Sequence, residues 1–195
     1  QTINWGVDGD LPVPTDRDAD GRDDLVVFRP SNNTWYTRYA VGTFETTPFG
    51  EAGDKPLAGD FDADGRGDLA VFRPSNSTWY LLRSTLGFMV QTWGQPGDVP
   101  VPGDYDGDGA ADRVVFRAST GQWYLSRTTA GFGVQSWGES GDIPAAADYD
   151  ADGKTDLAVF RPSNGTWYII GSGTGILIDQ FGQTGDVPTP SALIY

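Results

Sequence analysis

The chain has 195 residues, 38% of them hydrophobic and 13% aromatic, enough to bury a real core. With 13 basic against 27 acidic residues its formal charge is −14 and its pI about 4.1; such a surface repels phosphate backbones and argues against a nucleic-acid partner. No apolar run approaches the roughly 20 residues of a membrane span, and the absence of histidine and cysteine removes the usual general bases, thiol nucleophiles and His-ligated zinc or copper sites.

In chain order, Gln1-Thr-Ile-Asn-Trp5 reads as a fourth strand with no unit before it. Four units of 44 residues follow, approximately 7–50, 51–94, 95–138 and 139–182, with 1–6 and 183–195 left for closure of a single 1–195 domain. Each unit opens on Gly-Asp-x-Pro, at Asp10/Pro12, Asp54/Pro56, Asp98/Pro100 and Asp142/Pro144, with a fifth copy at Asp186/Pro188. This is strand one, as in Asp98–Asp104. Strand two is Leu69–Arg73 and its copies, which carry Phe28, Phe72, Phe116 and Phe160 followed by Arg29, Arg73, Arg117 and Arg161. Strand three begins at the Trp-Tyr pairs 35–36, 79–80, 123–124 and 167–168. Strand four runs as in Phe88–Trp93 and ends on an aromatic-glycine step at Trp5, Phe49, Trp93, Trp137 and Phe181. Asn164-Gly165 between strands two and three predicts a two-residue hairpin, with Asn32-Asn33, Asn76-Ser77 and Thr120-Gly121 in its place elsewhere. No segment has a 3.6-residue apolar period, so helix content is expected near zero.

Between strands one and two lies the acidic loop. Sixteen of the 24 aspartates fall in four copies of one nine-residue spacing: Asp16, Asp18, Asp20, Asp24; Asp60, Asp62, Asp64, Asp68; Asp104, Asp106, Asp108, Asp112; and Asp148, Asp150, Asp152, Asp156. Carboxylates at positions 1, 3 and 5 with glycine at 6 match the first half of a calcium loop, and the main-chain carbonyl at position 7 (Arg22, Arg66, Ala110, Lys154) completes the ligand ring. Aspartate at position 9 closes the loop sooner than the glutamate at 12 of an EF-hand. An Asp-Gly pair is also an ordinary turn former, but a turn does not need four carboxylates facing one another, which repel without a cation. Four Ca2+ sites are expected; magnesium, which prefers a tight octahedron with several waters, fits less well. Four such ions would offset more than half of the net charge.

A period of 40 to 50 residues indicates propeller blades or other stacked units. Proline in strand one removes a ladder donor, which suits an edge strand, and the small residues after it (Pro102-Gly103, Ala145–Ala147, Ala58-Gly59) suit the crowded axis of a ring. The expected fold is all-β, a β-propeller of four-stranded blades. The Asp-x-Asp-x-Asp-Gly-x-x-Asp loop, with Phe-Gly or Trp-Gly closing strand four, resembles the FG-GAP/VCBS repeats of integrin-α-like propellers over essentially the whole chain. The resemblance implies calcium at the sixteen loop aspartates. Two features depart from it: Phe-Arg-Pro-Ser replaces the family's Gly-Ala-Pro, and four complete units stand where integrin-type propellers have seven longer blades. A ring of four blades, or of five with the last built from both termini, fits the repeat count.

Recurrence at one strand position assigns Trp35, Trp79, Trp123 and Trp167 to blade packing ahead of sugar stacking. The repeated arginines are expected to pair with the Gly-Asp-x-Pro aspartates, because a half-buried arginine needs a partner. The acids left over, Asp8, Asp23, Asp179, Glu45, Glu51 and Glu139, form no catalytic motif. A non-catalytic binding module is expected, with a glycan or an extracellular protein as partner. A lectin-like site would use residues that vary between units (Arg38, Tyr39, Arg83, Arg127); an adhesion or scaffold domain of a larger exported protein is the alternative. Calcium loops without disulfides suit a bacterial secreted or cell-surface protein.

Overall fold

Each 44-residue repeat folds into one antiparallel sheet with its four strands in sequential order, the meander of a propeller blade. A computed structural model describes residues 2–189. Blade 1 comprises β1 (Leu11–Pro12), β2 (Leu25–Arg29), β3 (Thr34–Arg38) and β4 (Phe44–Pro48). Blade 2 comprises β5 (Lys55–Gly59), β6 (Asp68–Arg73), β7 (Thr78–Arg83) and β8 (Gly87–Thr92). Blade 3 comprises β9 (Val99–Pro100), β10 (Arg113–Arg117), β11 (Gln122–Ser126) and β12 (Phe132–Ser136). Blade 4 comprises β13 (Ile143–Pro144), β14 (Leu157–Arg161), β15 (Thr166–Gly171) and β16 (Gly175–Gln180). The fold class is all-β, of β-propeller type. No helix among the described residues is long and apolar enough to cross a membrane. Blades 1 and 2 form one compact unit, and blades 3 and 4, from Trp93 onward, form a second.

Register explains the core. The strand-two phenylalanine stands opposite the strand-three tryptophan in every blade: Phe28 and Trp35, Phe72 and Trp79, Phe116 and Trp123, Phe160 and Trp167, with ring centroids 5.0–5.6 Å apart. Trp35, Trp79 and Trp123 are fully buried, as a packing role requires. Burial obliges each indole to find an acceptor. Trp35 donates Nε1–H to the carbonyl of Phe49 at 3.0 Å, and Trp123 donates to that of Trp137 at 2.8 Å. That bond holds the main chain at the aromatic-glycine step. Gly50 turns with φ of +118°, and a Cβ there would lie 3.4 Å from both Phe28 and Val71.

The arginine pairing is present in all four blades. Arg29 grips Asp10, Arg73 grips Asp54, Arg117 grips Asp98 and Arg161 grips Asp142, each through Nε and Nη2 at 2.8–3.0 Å. The same carboxylate also accepts the main-chain N–H three residues before it, from Val7, Glu51, Gln95 and Glu139. Each guanidinium lies 4.0–4.3 Å over the ring of Tyr36, Tyr80, Tyr124 or Tyr168. The tyrosine of the Trp-Tyr pair is therefore a cation–π platform. With the Asp54 side chain wholly buried, Arg73→Ala leaves an uncompensated carboxylate; we expect a loss of about 3 kcal/mol in denaturant unfolding, read as a lower midpoint at unchanged slope.

Two local expectations need correction. The strand two-to-three connection is a four-residue turn, because Arg29 pairs with Thr34 and Arg161 with Thr166. Its last residue takes a left-handed conformation, with φ of 53° at Asn33 and Ser77, 65° at Gly121 and 66° at Gly165. Proline follows the arginine in three blades, but Ala118 in blade 3 gives a turn of the same length, so the left-handed last residue and not the proline is the feature the four turns share. Strand one is also shorter than Asp98–Asp104: Val99–Pro100 pairs with β10, and Gly103 makes an isolated bridge to Asp112. Residues 2–6 and 183–189 form no strand, so the terminal strands read at Gln1–Trp5 and from Asp186 are not found there; Gln1 and 190–195 lie outside the described residues.

Candidate metal centre

The acidic loops leave strand one and re-enter strand two, and backbone geometry aims their side chains at one another. In three loops alanine stands at position 4 with positive φ (Ala19 62°, Ala63 57°, Ala151 60°), and glycine follows at position 6 with φ of 83–88°. The position-1 carboxylate fastens this bend by accepting the glycine N–H: Asp16 from Gly21, Asp60 from Gly65, Asp104 from Gly109 and Asp148 from Gly153, at 2.7–3.0 Å.

The position-9 aspartate closes the loop from beneath. Asp24, Asp68, Asp112 and Asp156 are almost fully buried. One oxygen accepts the position-2 N–H (Arg17, Phe61, Tyr105, Tyr149). The other accepts the first N–H of the turn between strands three and four (Ala40, Ser84, Thr128, Ser172). Burial pushes the Asp68 carboxyl up to about 6; the N–H groups of Ser84 and Phe61 oppose the rise, and Asp62 and Asp60 add to it. Burial raises Asp24 and Asp112 as well. These are carboxylates whose ionised form a cation would favour.

Four groups of three carboxylates result, each with one oxygen per residue within 4.8 Å of the others: Asp16, Asp18 and Asp24; Asp60, Asp62 and Asp68; Asp104, Asp106 and Asp108; Asp148, Asp150 and Asp156. The position-5 residues Asp20, Asp64 and Asp152 stand outside these groups, whereas Asp108 takes the place of Asp112. At position 7, the N–H groups of Arg22, Arg66, Ala110 and Lys154 tie back to the position-5 carboxylate at 2.9 Å.

The strongest sign that the donors fit a cation comes from position 3. Asp62 Oδ1, Asp106 Oδ1 and Asp150 Oδ1 are buried and accept no hydrogen bond. Such an oxygen costs about 1–3 kcal/mol of desolvation if nothing compensates it. Its sister oxygen is fully engaged by the strand three-to-four turn: Asp62 Oδ2 by the N–H groups of Thr85 and Leu86, Asp106 Oδ2 by Thr129 and Ala130, Asp150 Oδ2 by Gly173 and Thr174. One edge of the carboxylate is thus locked and the other faces the cluster. The turn also supplies hydroxyls to position 5: Ser84 and Thr85 to Asp64, Thr128 and Thr129 to Asp108, Ser172 to Asp152. Those hydroxyls hold Asp64 and Asp108 below the ordinary carboxylate range. Sequence reasoning missed this brace; its trace is a serine or threonine twenty residues after position 5, at Ser84, Thr128 and Ser172.

The varied strand-three residues are partly structural. Arg83 and Arg127 cap their own turns through the carbonyls of Gly87 and Gly131, and Tyr39 donates its hydroxyl to Glu45 at 2.7 Å. Arg127 also lines a cleft of about 290 Å³ in the second unit, with Tyr105, Leu125, Val134, Gln135 and Ser172.

Three overlapping matches to the FG-GAP-like repeat cover residues 16–71, 60–115 and 104–159, each spanning two successive acidic loops. No curated protein matches the sequence. Among solved structures the chain is similar to virginiamycin B lyase from Staphylococcus aureus, with a TM-score of 0.61 and 14% identity over 98% of this chain and 60% of the lyase. A catalytically inactive histidine-to-alanine variant of that lyase with quinupristin gives 0.62 and 12% over the same shares. A streptogramin B lyase gives 0.58 and 13%, over 88% of this chain and 55% of that one. The chain thus spans about 60% of the length of the lyases it matches, and at these identities the likeness is one of fold.

Proposed function

The chain belongs to the FG-GAP-like repeat family, and from that premise we propose a non-catalytic, calcium-stabilised binding module that works outside the cell, with carbohydrate ahead of protein as its ligand. Calcium is supported by the buried, unpartnered position-3 oxygens, which need a hard cation that accepts oxygen ligands in flexible number. In that reading the carboxylates grouped in each loop hold the ion: Asp16, Asp18 and Asp24; Asp60, Asp62 and Asp68; Asp104, Asp106 and Asp108; Asp148, Asp150 and Asp156. The ion supplies charge compensation and cross-links strand one to strand two.

Residue types support the non-catalytic reading. The described lyase variant has lost a histidine and is inactive, and these 195 residues contain neither histidine nor cysteine. Two of the three glutamates are spent on salt bridges, Glu51 with Arg73 and Glu139 with Arg161.

The observation that carries the carbohydrate reading is the Arg127 cleft. Its volume, about 290 Å³, stands at the small end of ligand sites and suits one sugar ring. Leu125 and Val134 give it an apolar wall, while Arg127, Gln135 and Ser172 offer hydroxyl-binding groups. A single site of this size should bind weakly, at about millimolar to micromolar Kd, and gain from multivalent display. Glycan-array binding in calcium, weakened by Gln135→Ala without a change in melting temperature, is the expected result. An array without signal, alongside capture of a specific extracellular protein, replaces this reading with the adhesion or scaffold function.

A further inference from the structure

The turn between strands two and three carries one tripeptide pattern in three blades: Asn32-Asn33-Thr34, Asn76-Ser77-Thr78 and Asn164-Gly165-Thr166. These hold three of the chain's five asparagines, each with threonine two positions on and no proline between. Asn-x-Thr is the acceptor pattern for N-linked glycosylation, a bulky modification of surface turns in exported proteins.

The structure supplies the surface. Asn32, Asn76 and Asn164 are all exposed. Each donates from Nδ2 to the hydroxyl of the Trp-Tyr tyrosine: Asn32 to Tyr36 at 3.0 Å, Asn76 to Tyr80 at 3.2 Å and Asn164 to Tyr168 at 3.4 Å. An amide nitrogen has two hydrogens, so a sugar can replace one while the other stays with the tyrosine. The threonine hydroxyl, by contrast, turns back to the main-chain carbonyl of the asparagine, at 3.1 Å for Thr34 and Thr78. Thr78 and Thr166 are buried. An enzyme that reads this hydroxyl must therefore meet the chain before it folds.

Turn chemistry alone does not demand the pattern. Blade 3 makes the same turn with Thr120-Gly121-Gln122: Arg117 pairs with Gln122, and Gly121 takes φ of 65° where Gly165 takes 66°. A turn former accounts for asparagine and a β-branched strand former for threonine; neither accounts for the loss of both together. Position in the blade suits a bulky group as well. Strands two and three run from the acidic loop at one end to this hairpin at the other. A glycan here stands clear of the carboxylates, and of the Arg127 cleft, whose Thr155, Asp156 and Ser172 belong to the acidic-loop end.

We propose that Asn32, Asn76 and Asn164 are acceptor sites for N-linked oligosaccharide, attached during export and before folding; the proposal rests on the extracellular reading above. In the transfer, Nδ2 bonds to the anomeric carbon of an oligosaccharide carried on a lipid pyrophosphate. The bond from that carbon to the phosphate oxygen breaks, the lipid pyrophosphate leaves, and one Nδ2 proton passes to a base of the transferase.

The test is to export the full chain from a cell line whose secretory compartment holds an oligosaccharyltransferase. Glycopeptides are mapped by mass spectrometry before and after enzymatic release, which leaves aspartate at each occupied asparagine. Sugar is expected at all three positions and is absent from the blade 3 turn. Asn76→Gln, at an exposed position, should remove the blade 2 glycan with the melting temperature unchanged; Thr78→Ala should remove it too, and Thr78→Ser should keep it. Thr120→Asn with Gln122→Thr should add a glycan to blade 3. Bare asparagines on an exported chain overturn the proposal alone, as does sugar that survives Asn→Gln at all three positions. Fractionation of the source cells separates the two readings: a chain retained in the cytoplasm overturns the extracellular reading and this proposal with it.

Discussion

Chelation should lower the melting temperature of this chain steeply, and calcium should restore it more fully than magnesium. Each acidic loop holds three carboxylate oxygens within 4.8 Å, a repulsion that folding maintains and the unfolded chain escapes. On the calcium reading, an ion that binds the native state adds about 2.7 kcal/mol per site at a hundredfold excess over Kd. Three well-braced loops then contribute about 8 kcal/mol, comparable with the whole stability of an ordinary domain. Magnesium compensates less because it holds its waters and demands a strict octahedron. Differential scanning calorimetry in EDTA, followed by back-titration with each ion, gives the answer. A melt indifferent to EDTA would remove the metal from the fold.

Much of this architecture was legible because it is periodic. The strand-two arginine and the strand-one aspartate recur together 19 residues apart, so their pairing could be read before any coordinates, and the structure shows it in all four blades. Burial of Trp35, Trp79 and Trp123 followed from the same recurrence. What escaped were contacts whose partners carry no distinctive signature. Ser84 and Thr85 look like ordinary turn residues, and nothing local announces that they reach Asp64 across 20 and 21 positions. Tyr80 passes for a strand residue until Arg73 is seen 4.3 Å above its ring.

Departure from the repeat leads to the most specific expectation: the four loops should not bind calcium alike. In blades 2, 3 and 4 the turn after strand three brings hydroxyls to position 5 and N–H groups to position 3. Blade 1 has Ala40-Val41-Gly42 at that turn, without a hydroxyl. The Gly42 N–H is spent on the Tyr39 carbonyl at 2.9 Å, although its counterparts Leu86, Ala130 and Thr174 hold the position-3 carboxylate. Asp18 Oδ1, freed for a ligand role in the other three loops, accepts the Asp20 N–H at 3.3 Å. Loop 1 must therefore reorganise before it binds, and that cost lowers affinity. Isothermal titration should resolve three tight sites and one weaker by at least tenfold, about 1.4 kcal/mol. Asp106→Ala should remove a tight site, whereas Asp18→Ala should leave all three. Ala40→Ser with Val41→Thr should strengthen the weak site by restoring the hydroxyl brace. Four indistinguishable sites, or a tight site lost with Asp18, would show that the turn does not set affinity.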